Sequence, residues 1–321
     1  MASTFDRDFA QRFASAQKSI AGSEARLQAL ADKVGQTRTI QPKAYWDKVI
    51  RSAEREYKSI NSVLSSFVKR EVPRRYRNSI IEMSTRIDGL KSVLNKAKKS
   101  TKALIESSSS RQTVLALYQQ ATEDILAATF NGMNDFKRLI RGTQQALVEE
   151  QFLNIAVAEG FEEGNIQKAI TTIRRGLKAE VGEALSSGKF VKAGSRHYKA
   201  STYAEMVART KFHEAHSHAA IATAVNYGTD LIIISTHNTT TEICLPYEGK
   251  VFSITGADKR FPVLDLYPPF HPDCLHLMYP QFESGMIAQG SLEKFIDFSN
   301  GKADRPPFPD SFVPISKRKA V

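Results

Sequence analysis

The sequence predicts an α+β protein, with an extended, mainly helical N-terminal region followed by a small α+β C-terminal domain with few strands and a proline-rich tail. Three observations predict it. Of 12 prolines, only Pro42 and Pro73 precede Pro246, so the run from Arg74 to Leu245 is free of them. An interior proline costs a helix about 3 kcal/mol, and a run without one is what long helices need. From Phe5 to Ile155 apolar residues recur at spacings of three and four, the period of a helix face. The β-branched run "LIIIS" at Leu231 to Ser235 is strand-sized.

Taken in order, Phe5, Phe9, Phe13, Ala16 and Ile20 begin one stripe, which Leu27, Leu30 and Val34 continue until Gly35 can end it. Pro42 suits a helix start, and Trp46, Val49, Ala53, Tyr57, Ile60, Leu64 and Phe67 line its apolar face. Pro73 is expected to separate this helix from a third stripe through Ile80, Ile87, Leu90 and Leu94. "SSSS" at Ser107 to Ser110 marks a break. Val114, Leu117, Ile125, Phe136, Ile140, Leu147 and Ile155 then carry further helix. These stripes read as helix–helix core, not as chemistry. One more helix spans Ser201 to Tyr227, closed by Gly228. "DLIIIST" reads as a buried strand, with "GKVFSI" at Gly249 to Ile254 as its partner. "DRPPFPDSFVP" belongs to an extended tail. The expected organisation is a basic helical region at 1–110, a helical connector at 111–200, a C-terminal domain at 201–285 and the tail at 286–321.

No apolar run approaches the roughly 20 residues of a membrane span, and "MASTFDRDFAQRF" lacks the apolar core of a signal peptide. Two cysteines in 321 residues point to free thiols and synthesis in a reducing cytoplasm, with no membrane needed for folding. The net charge of +11 is localised: the first hundred residues hold 21 lysines and arginines against 10 acidic residues, and the remainder 24 against 24. Such an excess attracts polyanions through counterion release. Lys69, Arg70, Arg74, Arg75 and Arg77 flank Pro73, and Lys91, Lys96, Lys98, Lys99 and Lys102 follow. Tyr76 is the only aromatic close by, so the expected mode is phosphate contact with double-stranded DNA without sequence preference, not base stacking. An ordinary solvated basic face is the alternative.

All seven histidines and both cysteines lie between His197 and His276. "KFHEAHSHA" nearly spells the metalloprotease helix H-E-x-x-H, but position 217 is Ser and the histidines stand at 213, 216 and 218. A helix face fits that stretch better. A zinc-deaminase signature fails for want of paired cysteines, and a Cys274/His276 nucleophile pair rests on proximity alone. Four-coordinate structural zinc is the serious candidate cofactor: His237, Cys244, His271 and Cys274 form one ligand set, with His276 as the alternative fourth. The competing reading is two small buried thiols, or a latent disulfide. "YPPFHPDCLHLMYP", Tyr267 to Pro280, is expected to be a stiff closing strap that brings Cys274 close to Cys244.

A family resemblance rests on three pieces in order: Arg209 and Thr210 on a helix; Cys244, Tyr247, Gly249, Lys250 and Val251; and Pro269, His271, Pro272 and Cys274. Together, over about residues 165–280, they resemble the Mu F-like minor capsid or head morphogenesis proteins of tailed phages. Thr241 stands where many relatives have a cysteine, and Leu275 where many have arginine; both departures bear on a metal site. The resemblance implies a virion component of the head, near the portal or the head interior. It would act in head assembly and in DNA packaging or delivery, with the portal protein, the major capsid protein and double-stranded DNA as partners. It implies no catalytic residues and no enzyme. The other class of reading is a metal-dependent, nuclease-like enzyme using the His/Cys cluster.

Overall fold

Helix α1 runs from Thr4 to Gln36 and α2 from Lys43 to Asp88, immediately after Pro42, in the computed structural model, which describes residues 4–90, 96–158, 185, 187–237, 239–272, 274–288 and 291–303. Pro73 lies inside α2 and is not its end, a correction to the expected boundary. Val72, Tyr76, Ile80 and Met83 are all buried on that stretch, and side-chain burial at about 1.5–3 kcal/mol each outweighs the cost of one interior proline. After α3 (Thr101–Ile105), the serine-rich break holds: Ser107 Oγ donates to the Leu104 carbonyl at 2.8 Å, and α4 begins at Ser108 and continues to Ala158.

A hairpin follows where a helical connector is expected: β1 (Val191–Ala193) and β2 (Arg196–Tyr198), paired antiparallel around Gly194 at φ 57°. Helix α5 (Ala200–Asn226) ends where Gly228, at φ 71°, takes the left-handed conformation that reverses a chain at a helix end. Strands β3 (Leu231–Ile234), β4 (Val251–Ser253) and β5 (Met278–Gln281) form one antiparallel sheet in the order β4–β3–β5. The expected pairing of the two apolar runs is present, with Ile232 opposite Phe252. Pro280 faces Ile232 from β5, an edge position where a strand tolerates proline. The expected extended tail is corrected at residues 286–288 and 292–299, which belong to the helices α6 (Glu283–Ala288) and α7 (Leu292–Ser299). Phe295 is buried in a core with Leu231, Ile233, Val251, Phe261 and Met286, against which Leu292 and Ile296 pack, and that 3/4 spacing stabilises a short helix. Residues 304–321, with the proline-rich stretch, lie outside the described residues.

The chain forms two compact units, neither continuous in sequence: residues 1–12, 67–121 and 206–321 make the first, and residues 13–66 and 122–205 the second. Residues 1–110, 111–200 and 201–285 therefore each contribute to both. In the second unit the core is helical, with Phe13, Ile20, Leu27, Trp46, Ile60, Leu64, Ile125 and Phe136 buried as their stripes require. There α4 meets the start of the hairpin without a gap. A Cβ on Gly132 would stand 2.0 Å from the Phe190 carbonyl oxygen, which also accepts a 2.8 Å hydrogen bond from Tyr57 Oη. In the first unit Phe9, Phe67, Phe212 and strands β3 and β4 are buried. Among the described residues no helix is long and apolar enough to cross a membrane.

Candidate functional site

Two sets of residues in the first unit carry chemistry. One grows from the segment Tyr267–Pro280, which α5 holds in place through its own histidine-rich face. Ser217 Oγ donates to the Pro268 carbonyl at 2.6 Å. His216 is fully buried, and its Nε2 donates to the Met278 carbonyl at 3.1 Å. Its Nδ1 accepts from Arg75 at 3.0 Å and from the Ser79 hydroxyl at 3.1 Å. With both nitrogens so used His216 is neutral, and burial, then the nearby Arg75 charge, hold its pKa well below 6.5. The H-E-x-x-H-like stretch is thus a docking face, as its spacing suggested. Arg209, from the same helix, lies over the Phe9 ring at 5.1 Å, a packing contact.

Beyond Pro272 the strap alternates: Cys274 and His276 are buried and Leu275 between them is exposed, as two-residue periodicity in extended chain requires. Cys244 reaches the same place from a turn in which Tyr247 and Glu248 donate their N–H groups to its carbonyl. Cys244, Cys274 and His276 bring their ligand atoms within 4.8 Å of one another, all three residues buried. The expected approach of the two cysteines is therefore present. Cys274 Sγ stands 3.5 Å from His276 Nδ1, while His276 Nε2 faces Glu248 Oε1 at 3.6 Å. The Glu248 carboxylate is fixed by the N–H groups of His237 and Thr239. Burial, then the adjacent Cys274, pushes the Cys244 thiol up to about 12. Burial also lowers the His276 pKa, against the pull of Glu248. His237 lies edge-on to His276, ring centres 5.0 Å apart, with its Nε2 on Ser235 Oγ at 2.8 Å. His271 stays outside this group and turns its Nδ1 to the Pro272 carbonyl, 2.6 Å away. Of the expected ligands, the structure brings together Cys244, Cys274 and the alternative, His276. His276 stands two residues beyond Cys274 and so shares its side, whereas His271 lies across a turn closed by the Cys274 N–H on the His271 carbonyl at 3.1 Å. Glu248 went unread in the sequence; its one signal was a spacing of four from Cys244 in a turn of helical hydrogen bonding.

The other set is basic. Lys69, Arg70, Arg74, Arg77, Lys96, Lys98, Lys99 and Lys102 are exposed, and Lys91 falls outside the described residues. Arg75 is half-buried and faces His216 and the Phe212 ring, so it is poorly placed for an external polyanion. Arg70, Arg74 and Arg77 line a hollow of about 400 Å³ together with Pro73, Tyr76, Ile105, Ser110, Arg111 and Val114. Arg111 was not singled out from the sequence, since only the return of α4 beside α2 sets it there. Among the described residues Arg74, Arg77 and Arg111 make no ion pair, whereas Arg70 Nε reaches Glu71 at 2.7 Å. A second hollow, of about 290 Å³, shares Tyr76 and Ser110 and includes Lys98 and Lys99. These lysines are held by Asn226, whose side chain accepts from the Lys99 N–H and donates to the Lys99 carbonyl, both at 2.9 Å.

Residues 77–262, more than half of the chain, match the family model described as phage minor capsid protein 2. No curated protein and no solved structure matches the chain. The matched stretch runs from Arg77 in α2 through α5, the Cys244 turn and β4, and so takes in two of the three pieces on which the resemblance to phage minor capsid proteins rested. That expectation is borne out: the chain belongs to the phage minor capsid protein 2 family and is a structural component of the virion head.

Proposed function

We propose that this minor capsid protein works near the portal or on the inner side of the head, in head assembly and in DNA packaging or delivery. In this reading it holds double-stranded DNA by its phosphates while contacting the portal and major capsid proteins. The observation that carries the proposal is the arginine-lined hollow, in which Arg70, Arg74, Arg77 and Arg111 converge from two helices beside the hollow that includes Lys98 and Lys99. Guanidinium groups suit bidentate contact with phosphate. The walls offer no stack of aromatic rings, so the contact is indifferent to sequence. A head interior is filled with DNA, and a basic surface on a head component suits it.

The test compares the full chain with an Arg74→Ala, Arg77→Ala, Arg111→Ala variant on duplexes of unrelated sequence. Removing the first hundred residues would take residues 1–12 and 67–100 from the first unit and 13–66 from the second, and so would test folding instead. Wild type should bind all duplexes alike, with a log–log salt slope of about −3 or steeper if four arginines meet phosphates; the variant should lose about 0.9 of slope for each contact removed. Equal affinity and slope in both proteins would refute the role of the hollow. Mass spectrometry of purified particles should find the chain at few copies relative to the major capsid protein.

A further inference from the structure

We propose that Cys244, Cys274 and His276 hold one zinc ion that pins the turn before β4 to the strap before β5. The argument is independent of DNA binding. Two thiol sulfurs and an imidazole nitrogen lie within 4.8 Å of one another, and all three residues are buried. Neutral thiols gain only weak hydrogen bonds from such company, the 3.5 Å contact of Cys274 with His276 among them, whereas two thiolates and an imidazole are the donors that select zinc among the common divalent ions. Hydrolytic sites built on magnesium use oxygen donors on accessible faces, which this set is not.

Glu248 strengthens the assignment. The nitrogen of His276 beside Cys274 is Nδ1, and the other, Nε2, faces the Glu248 carboxylate at 3.6 Å. A carboxylate behind the far nitrogen of a ligand histidine fixes the ring and raises its basicity. Glu248 is itself fixed by two backbone N–H groups from the His237–Thr239 segment. Binding releases a proton from each thiol as its sulfur becomes a thiolate ligand. A water molecule or the neighbouring His237 completes four-coordination.

The position explains what the ion would do. Cys244 precedes β4 and Cys274 and His276 precede β5, and these are the two edge strands on either side of β3. Each strand is only three or four residues long. Short strands give a sheet few ladder hydrogen bonds, so a clamp across the leads to both edges stabilises it most.

The full chain, without a polyhistidine tag, should be purified in reducing buffer with no added metal and measured by elemental mass spectrometry. About one zinc per chain is expected, lost in Cys244→Ser and in Cys274→Ser, with a chelator lowering the melting temperature of wild type. Because either variant can fail to fold, cobalt replacement in wild type gives a separate reading: a thiolate-to-cobalt charge-transfer band is expected in reduced protein. Glu248→Gln should weaken zinc about 10- to 100-fold in a competition assay; an unchanged affinity removes Glu248 from the site. Metal-free wild type with no cobalt band, zinc kept by both serine variants, or a Cys244–Cys274 disulfide in rapidly alkylated protein would each overturn the proposal.

Discussion

Asp135 in the second unit and the Cys244–Cys274–His276 group in the first are both buried polar clusters, and they are balanced in different ways. Asp135 is nearly inaccessible, yet its carboxylate accepts from His197 Nε2 at 2.8 Å and from Arg138 at 3.2 Å, with Lys192 Nζ at 3.6 Å. One anion is surrounded by donors and cations, each drawn from α4 or the hairpin, so the cluster is complete within the chain. The other cluster gathers three electron-pair donors around a common point, with its nearest carboxylate behind the histidine and not among them. A buried carboxylate with cationic partners reads as architecture. Buried donors facing one another read as a place for a cation.

The largest effect should come from the packing beneath the Asp135 cluster. Gly132→Ala puts a methyl group 2.0 Å from the Phe190 carbonyl oxygen, so α4 and the strand must part and the Tyr57 hydrogen bond must lengthen. The loss should be about 3 kcal/mol, overpacking outweighing the roughly 1 kcal/mol that alanine gains in a helix. Urea denaturation checks it, and an unchanged or raised midpoint would mean the two elements are not in close contact.

Asp135→Ala comes next, at about 2 kcal/mol. This falls below the usual cost of breaking a buried pair because Arg138 and Lys192 are exposed enough to hydrate once released. His197→Gln, which keeps a donor toward Asp135, should restore nothing in the Asp135→Ala background and cost little in wild type. Double-mutant analysis of the pair measures their coupling directly.

A third test uses pH. His216 is neutral when folded, against Arg75, Arg86 and His213, and its folded pKa is lowered from 6.5; that of His218 is lowered as well. Above pH 6.5 folded and unfolded chains both carry neutral imidazole, so this stability is fully present. Below 6.5 the unfolded chain takes up a proton that the folded chain does not, so stability falls as pH falls. The slope cannot exceed about 1.4 kcal/mol per pH unit for each histidine. Denaturation midpoints measured between about pH 7.5 and 5.5 should decline more steeply in wild type than in His216→Gln. Parallel curves would show that His216 is not the cause.

The smallest stability effect belongs to the basic hollow. Arg74→Ala, Arg77→Ala and Arg111→Ala should each change stability by less than about 0.5 kcal/mol, since exposed side chains away from packing contacts seldom do more. A melting temperature that dropped in all three would recast the hollow as structural.

Much of the architecture was legible in the residues. The stripe from Phe9 through Ile20 to Val34, the start of α2 after Pro42, the serine break before α4, Gly228 after α5 and the pairing of the two apolar runs all follow from local rules. Side-chain spacing and backbone freedom act within a few residues, so a chain displays them openly. Pro73 looks like a boundary in the sequence because its cost is local, whereas the burial of Val72, Tyr76 and Ile80 that overcomes it is tertiary. The hairpin at 191–198 and α7 were missed for a similar reason: each is too short for its pattern to stand out before its partners are known.

The sequence alone determined that this is a mostly helical α+β chain with its basic excess at one end and its cysteines and histidines near the other. Those properties are sums over residues or repeats along the chain. Only the tertiary structure decided that His276 and not His271 joins the cysteines, that Glu248 stands behind it, that Arg75 faces inward while Arg111 joins the basic hollow, and that Gly132 has no room for a methyl group. Each depends on which side of an element meets which neighbour across tens of residues of chain. Spacing within a segment fixes the face a residue occupies, but only packing determines what that face will meet.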